Sequence, residues 1–400
     1  MDLAALMAIY ILSQFYRTFL AVLAPALTAD LGVTAAELSH AAGSWYLFFS
    51  LAQLPTGVLL DRFGPRRVVG TFLCGPAFVG ALVFSQAHDA FQLTLGVALI
   101  GVGCAPILMS GMFLFARRYP PARFATLSGL MIGVGGLGNI LGAAPFALAV
   151  EAFGWREMML FLAALGLLCG IVAYLVLRDP PPLPPTPGAK DAGFRGFLEL
   201  LRMPLLLAML PLALTNYAVA GGIRGLWAGP YLADIHGFDA AAIGMATLCI
   251  AVAMMSGNFV YAPLDRVFGS RKPLILSANV AGFVCVAWLA FGAPGAWTAV
   301  ALMTACGFFG ATYAVLIAHW RSFVPLRLTG RGVTLINVTG MMGTALGQFA
   351  TGAISDAPLA AGDFAAGYER VFLWYAVTLL IGLTVYALFA RDARPDQVAE

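Results

Sequence analysis

Two arginines stand inside apolar runs that should carry no charge: Arg17 in the run from about residue 4 to residue 29, and Arg224 in the run 204–233. Arg17 lies about 13 residues into its run, roughly 20 Å at 1.5 Å per helical residue, too deep to snorkel easily to either interface. Placing a guanidinium at that depth costs about 2.5–3.5 kcal/mol on insertion scales. No Asp or Glu falls in the core of any apolar run to neutralise it. A charge without a protein partner must face a wet cavity, where an anion can complete the pair, and the planar guanidinium fork binds carboxylate or phosphate bidentately. The alternative is an arginine satisfied at a helix end or by carbonyls, although packing alone hardly explains its recurrence in both halves of the chain. Gln14 and Tyr10 precede Arg17 by three and seven residues and share its helical face, as Tyr217 shares that of Arg224. They are candidates to line the cavity, and an interhelical hydrogen bond would suit the tyrosines equally. Asn139, Asn216, Gln53, Asn258, Asn337 and Gln348 are weaker candidates, being the polar type that joins helices in membranes.

The elements that carry these residues follow from composition. Of 400 residues 61% are hydrophobic and 10% charged, with a mean hydropathy of +0.90, whereas soluble domains carry roughly 25% charged residues. That pattern excludes a soluble enzyme, a nucleic-acid binder and a disordered scaffold, and a net charge of +3 is too mild to imply a polyanionic partner. A hydrocarbon core about 30 Å thick needs about 20 apolar residues per helix. Twelve runs suffice, near 4–29, 40–60, 68–87, 91–116, 125–151, 156–177, 204–233, 241–263, 274–292, 297–318, 331–354 and 369–390. The runs are too long and too unalternating for a barrel, so the fold class is an all-α integral membrane protein with twelve transmembrane helices. The first run is read as a retained span, since no basic segment precedes it. Cys74, Cys104, Cys169, Cys249, Cys285 and Cys306 all lie in apolar runs without a CxxC pair and are expected to be buried small hydrophobes. The methionines read as gap-fillers rather than as a Cu(I) path, because no His or Cys joins them at ligand spacing, and no cofactor is expected. None of the four histidines is placed like a central proton relay; His319 lies at the end of span ten.

Lys and Arg gather in the even-numbered loops and the C-terminus (Arg62, Arg66, Arg67, Arg117, Arg118, Arg178, Arg271, Lys272 and Arg391 among them), while the odd-numbered loops hold only Arg156 and Arg370. By the positive-inside rule both termini are cytoplasmic. A proline-rich stretch, 179–202, reads as an extended linker between an N-terminal six-helix bundle, 1–178, and a C-terminal one, 203–400. The halves repeat at an offset of about 205 residues: Gly57 through Asp61-Arg62-Phe-Gly64-Pro-Arg66-Arg67 matches Gly257 through Asp265-Arg266-Val-Phe-Gly269-Ser-Arg271-Lys272. Pro25 with Asp30-Leu-Gly32 likewise echoes Pro230 with Asp234-Ile-His-Gly237. Duplicated six-helix halves are the sequence signature of an alternating-access transporter, with its substrate near the midplane between the repeats.

The segment Gly57-x3-Asp61-Arg62-x-Gly64-x-Arg66-Arg67 after a second span resembles the hallmark loop of the major facilitator superfamily, and the copy after span eight fits it too. The resemblance covers essentially the whole chain and implies two pseudo-symmetric six-helix bundles. An arginine in span one and another in span seven resemble the organophosphate:phosphate antiporters, anion:cation symporters and vesicular glutamate transporters, in which such a pair holds the substrate's phosphate or carboxylate. Two departures stand out. Span four has no acid and Tyr16 replaces the Asp that often precedes the span-one arginine, and the glycine-rich span five from Gly133 to Pro145 lacks the Gly-Pro dipeptide of drug:proton antiporters. Both argue against proton symport by the usual carboxylate and against drug efflux.

The expected function is secondary transport of a small organic anion, carboxylate or phosphate ester, across a bacterial-type inner or plasma membrane by a monomer, with a co-transported or exchanged ion as a further partner. Arg17, Arg224, Tyr10, Gln14 and Tyr217 are the expected substrate ligands. Asp61, Arg62, Gly64, Arg66, Asp265 and Arg266 are expected to latch one conformation, a carboxylate at a helix end accepting bonds from an arginine or a facing helix N-terminus. One rival is a carrier of a neutral, metal or cofactor-like solute; another is a receptor or assembly factor that does not turn over. An enzyme finds no support, because no paired carboxylates, Ser/His set or metal cluster occurs within the runs.

Overall fold

A computed structural model describes residues 2–119, 121–180, 195–267, 269–325 and 328–392, without the side chains of 121–126, 195, 262, 263, 265 and 266. The described residues are helical nearly throughout. Span one is a bent pair, Asp2–Phe15 and Phe19–Leu31, with 44° between them. The next helical stretch is contiguous from Ala35 to Ser85 for 51 residues, about 77 Å at 1.5 Å per residue and more than twice the hydrocarbon thickness. Gly64 divides it into spans two and three: its φ of 76° and ψ of 161° are non-helical and open to glycine alone without strain. Spans four to six are Ala90–Arg118, Leu127–Phe153 with its helical start at Pro121, and Trp155–Val176. A short helix, Arg195–Leu200, precedes span seven, Pro204–His236, and spans eight to ten follow as Ala240–Val267, Lys272–Phe291 and Ala296–Arg321. Thr329–Ala360 and Phe364–Phe389 make spans eleven and twelve. Of the linker expected over 179–202, residues 181–194 lie outside the described set, and the helix Arg195–Leu200 stands where the sequence suggests extended backbone.

Acidic residues of the odd-numbered loops start the even-numbered helices. Thr34 and Glu37 form a reciprocal capping box at span two, the Thr34 hydroxyl accepting from Glu37 N at 3.2 Å and the Glu37 carboxylate from Thr34 N at 2.8 Å. Asp89, Asp239 and Asp363 cap spans four, eight and twelve by accepting from Gln92 N, Ala242 N and Ala366 N. Spans one and seven both end on a left-handed glycine, Gly32 and Gly237, each with φ 66°, so the sequence repeat at these positions is also a repeat of capping geometry.

The halves meet through small residues. A Cβ on Gly229 would press on the Ala21 carbonyl, one on Gly244 on Ala144 and Ala147, and one on Gly352 would stand 3.0 Å from the Ser39 Cβ. These contacts lie toward the odd-numbered loops. Toward the even-numbered loops, described ion pairs and caps stay within a half: Arg118 with Asp2, Arg117 with Asp61, and Lys272 Nζ donating to the Ala387 and Ala390 carbonyls at 2.7 Å. Of the six cysteines only Cys104 and Cys306 are buried as expected; Cys74, Cys169 and Cys285 are half-buried and Cys249 is exposed.

Candidate functional site

Both arginines sit where their helix is irregular. At the bend of span one, Arg17 N and Thr18 N donate to the Gln14 and Phe15 carbonyls three residues back, at 3.2 and 3.0 Å, so the regular four-residue ladder lapses around Arg17. Arg224 lies in a wide turn, Ile223–Trp227, built on five-residue hydrogen bonds. Such turns inside α-helices are frequent at functional sites. The two helices touch here, because a Cβ on Gly225 would stand 3.5 Å from the Arg17 carbonyl and 3.4 Å from the Tyr46 hydroxyl.

Each guanidinium reaches across to the other half. Arg17 Nη1 donates to the Tyr217 hydroxyl of span seven at 3.4 Å, and Arg224 Nη1 donates to Asn139 Oδ1 of span five at 2.5 Å. Arg17 also lies over the rings of Trp45 and Phe49, 5.4 and 5.0 Å from their centroids; those rings stack at 4.8 Å. Aromatic faces stabilise a buried cation without neutralising it. Arg17 and Arg224 are 9% and 1% exposed, and the Nε of each is buried without a hydrogen-bond partner, as are the Tyr46 hydroxyl and Trp45 Nε1. Among the described residues the ion pairs of the chain involve other arginines, so neither guanidinium is matched by a carboxylate.

The structure brings Arg17, Tyr217, Arg224 and Tyr10 into one electrostatic neighbourhood. Gln14 Nε2 donates to the Tyr10 hydroxyl at 2.8 Å, and both side chains pack on Gly135 of span five. Glycines of that span fix the approach: a Cβ on Gly138 would collide with the Ile11 carbonyl, and one on Gly142 with the Thr18 hydroxyl, so Asn139 is held beside the bend of span one. Sequence reasoning missed Trp45, Tyr46 and Phe49; the four-residue spacing of Trp45 and Phe49, one helical face of span two, was the available signal. Asn139, expected chiefly to join helices, does so by accepting from Arg224, a partner that no pattern within one chain segment reports from 85 residues away.

The loop residues form a separate group. Asp61 pairs with Arg117 at the end of span four at 3.5 Å, Arg62 lies over Phe63, and Arg66 N donates to Asp179 Oδ1 at 2.9 Å beside Gly64. Arg66 Nε donates to the Tyr174 carbonyl at 2.5 Å. The side chains of Asp265 and Arg266 lie outside the described residues. His319 is fully buried and bonded to the Tyr386 hydroxyl at 2.7 Å, within the C-terminal half.

Comparison with known proteins agrees with this architecture. A "Putative tartrate transporter" of Agrobacterium vitis is 24% identical over 98% of this chain and 90% of its own length. A "Probable nitrate/nitrite transporter NarK2" of Mycobacterium tuberculosis is 26% identical over 92% and 91%, and a "Multidrug resistance protein MdtL" of Klebsiella pneumoniae is 22% identical over 80% and 81%. The crystal structure of a D-xylose–proton symporter superposes with a TM-score of 0.79 at 12% identity, covering 100% of this chain and 99% of that one. Residues 6–223 match the sequence profile of the Major Facilitator Superfamily. With that match spanning more than half of the chain, this protein belongs to the major facilitator superfamily of membrane transporters.

Proposed function

We propose that this transporter carries a small organic anion, a carboxylate or phosphate ester, by rocker-switch alternating access, with Arg17 and Arg224 binding the anionic group. The observation that carries the reading is the pair of buried guanidinium groups whose described partners are neutral: a phenol, an amide and two aromatic faces. Buried charges are costly unless paired, and a bound anion supplies the pairing. The tartrate and nitrate relatives support the same reading. Tyr10, Gln14 and Tyr217 complete the ligand shell. We further propose a monomer in the inner membrane with cytoplasmic termini, residues 1–178 and 203–400 as the moving bundles, and Asp61, Arg62, Gly64 and Arg66, with Asp265 and Arg266, as the cytoplasmic latch. In that orientation the close contacts of Gly229, Gly244 and Gly352 close the external side.

A second reading has its own support: the aromatic faces at Arg17 and the amide at Arg224 would also hold two structural arginines in a carrier of neutral solutes. Thermal unfolding of the purified protein separates the two, because a ligand that binds only the folded state raises its melting temperature. Carboxylates, phosphate esters, sulfonates and neutral analogues are compared, in wild type and in Arg17→Ala and Arg224→Ala. Stabilisation by one anion class that both substitutions abolish supports the proposal. Stabilisation by neutral compounds alone, unchanged in both variants, refutes it.

A further inference from the structure

The partners of the two arginines differ from their neighbours elsewhere in one respect that bears on ligand charge. Arg117, Arg118 and Arg156 each meet a carboxylate. Arg17 and Arg224, the more deeply buried, meet only groups that leave their charge intact. An amide oxygen at 2.5 Å fixes the position of Arg224 as a carboxylate would, and adds no charge. Asn139 is rigidly placed for this, because Gly138 and Gly142 seat its helix directly on span one. Each arginine is thus clamped at Nη1 by the opposite half, and each keeps a buried Nε with no partner.

We infer that the site is matched to a dianion, and that Asn139 keeps it so by holding Arg224 with an amide in place of a carboxylate. This rests on the reading of Arg17 and Arg224 as anion-binding residues. Two buried guanidinium groups without a carboxylate partner present two positive charges; a monoanion neutralises one and leaves the other buried and unpaired, which is the costly arrangement. A dianion removes both. The charge is carried on one head, as in a phosphate monoester, or on two, as in a dicarboxylate, and the shared requirement is the count. Asn139 acts on the ligand through Arg224, so it is a positioning residue that sets charge selectivity.

The test uses ligands that differ by one charge at nearly constant shape: succinate, its half-amide succinamate and the diamide, together with glycerol phosphate and its methyl diester, at pH 8. Thermal stabilisation is measured in wild type, Asn139→Asp, Asn139→Gln and Asn139→Ala. In wild type a dianion stabilises and its monoanionic counterpart binds roughly tenfold to a hundredfold more weakly, the worth of a charge-assisted interaction. Asn139→Asp neutralises Arg224 internally, so the order inverts: dianion binding falls by a similar factor and the monoanion becomes the better ligand. Asn139→Gln retains the wild-type order. The melting temperatures without ligand serve as a folding control, and there Asn139→Asp is at least as stable as Asn139→Ala because it forms an ion pair. Equal binding of mono- and dianions in wild type, or an unchanged order in Asn139→Asp, overturns the inference while the anion reading stands. No response to any charged member, with or without a response to the diamide, sinks the anion reading itself.

Discussion

The Ser39 hydroxyl of span two donates to the Gln348 main-chain carbonyl of span eleven at 2.6 Å, joining the halves at a point where both residues are fully buried. A Cβ at position 352, one turn further along span eleven, would stand 3.0 Å from that of Ser39, so a separation of a few tenths of an ångström to an ångström brings the pair to the roughly 3.5–4.5 Å of a disulfide. In a background without the native cysteines, Ser39→Cys with Gly352→Cys should therefore cross-link on mild oxidation and stop transport, and reduction should restore it. Full transport in the oxidised, demonstrably cross-linked protein would show that this contact does not open during the cycle.

The glycines of span five divide by what surrounds them. Gly138 faces the Ile11 carbonyl and Phe15 N, whereas Gly129 has nothing within 4 Å. Gly138→Ala should force spans one and five apart and cost about 1–3 kcal/mol, the usual range for overpacking. Gly129→Ala should be neutral or stabilise by up to about 1 kcal/mol through helix propensity. Melting temperatures of the two variants, measured side by side, check the contrast; equal losses would contradict it.

Arg156 does more than pair with Asp30. It donates to the Ser85 and Ala87 carbonyls at the end of span three at 3.2 and 2.8 Å, besides reaching Asp30 at 3.1 Å and covering the Trp155 ring. The ion pair is partly exposed and worth about 0–1 kcal/mol by itself, while the carbonyl bonds satisfy a helix C-terminus. Arg156→Ala should consequently destabilise more than Asp30→Ala, and should still destabilise in an Asp30→Ala background, where only its carbonyl bonds and ring contact remain to be lost.

Asp61 offers a clean separation of stability from transport. Its side chain is 70% exposed and stands 3.5 Å from Arg117, a geometry that contributes about 0–1 kcal/mol. If the proposed latch is real, Asp61→Asn keeps its melting temperature within a few degrees and lowers the transport rate severalfold. A rate equal to wild type would leave the Asp61–Arg117 pair without a role in the cycle.

The fold was largely legible because bilayer thickness and backbone hydrogen bonding leave few options for long apolar runs, and because charges mark their ends. The acids at Glu37, Asp89, Asp239 and Asp363 are helix caps as well as loop residues, so two physical effects wrote the same boundaries. Arg17 and Arg224 were legible for the opposite reason, as charges in the wrong solvent. What surrounds them was not. The bend at Tyr16–Thr18 carries no Pro or Gly, and Trp45, Phe49 and Asn139 look like ordinary helix residues until folding sets them beside a guanidinium. Periodicity reports a face of one helix, and a site shared by spans one, two, five and seven depends on which faces meet.

Span one is tied down at both ends within its own half, by Asp2 to Arg118 of span four and by Asp30 to Arg156 of span six, and it is bent 44° in the middle. A rod pinned at its tips can change shape only at its knee. The second arm, Phe19–Leu31, has 13 residues and is about 20 Å long, so each degree of flexion displaces one tip relative to the knee by about 0.35 Å. Run in reverse, a shift of an ångström or two at Arg17 demands several degrees of rotation and strains both tethers. Whatever grips that guanidinium is thereby geared to the two faces of the membrane, a short crank whose handle is the charge itself.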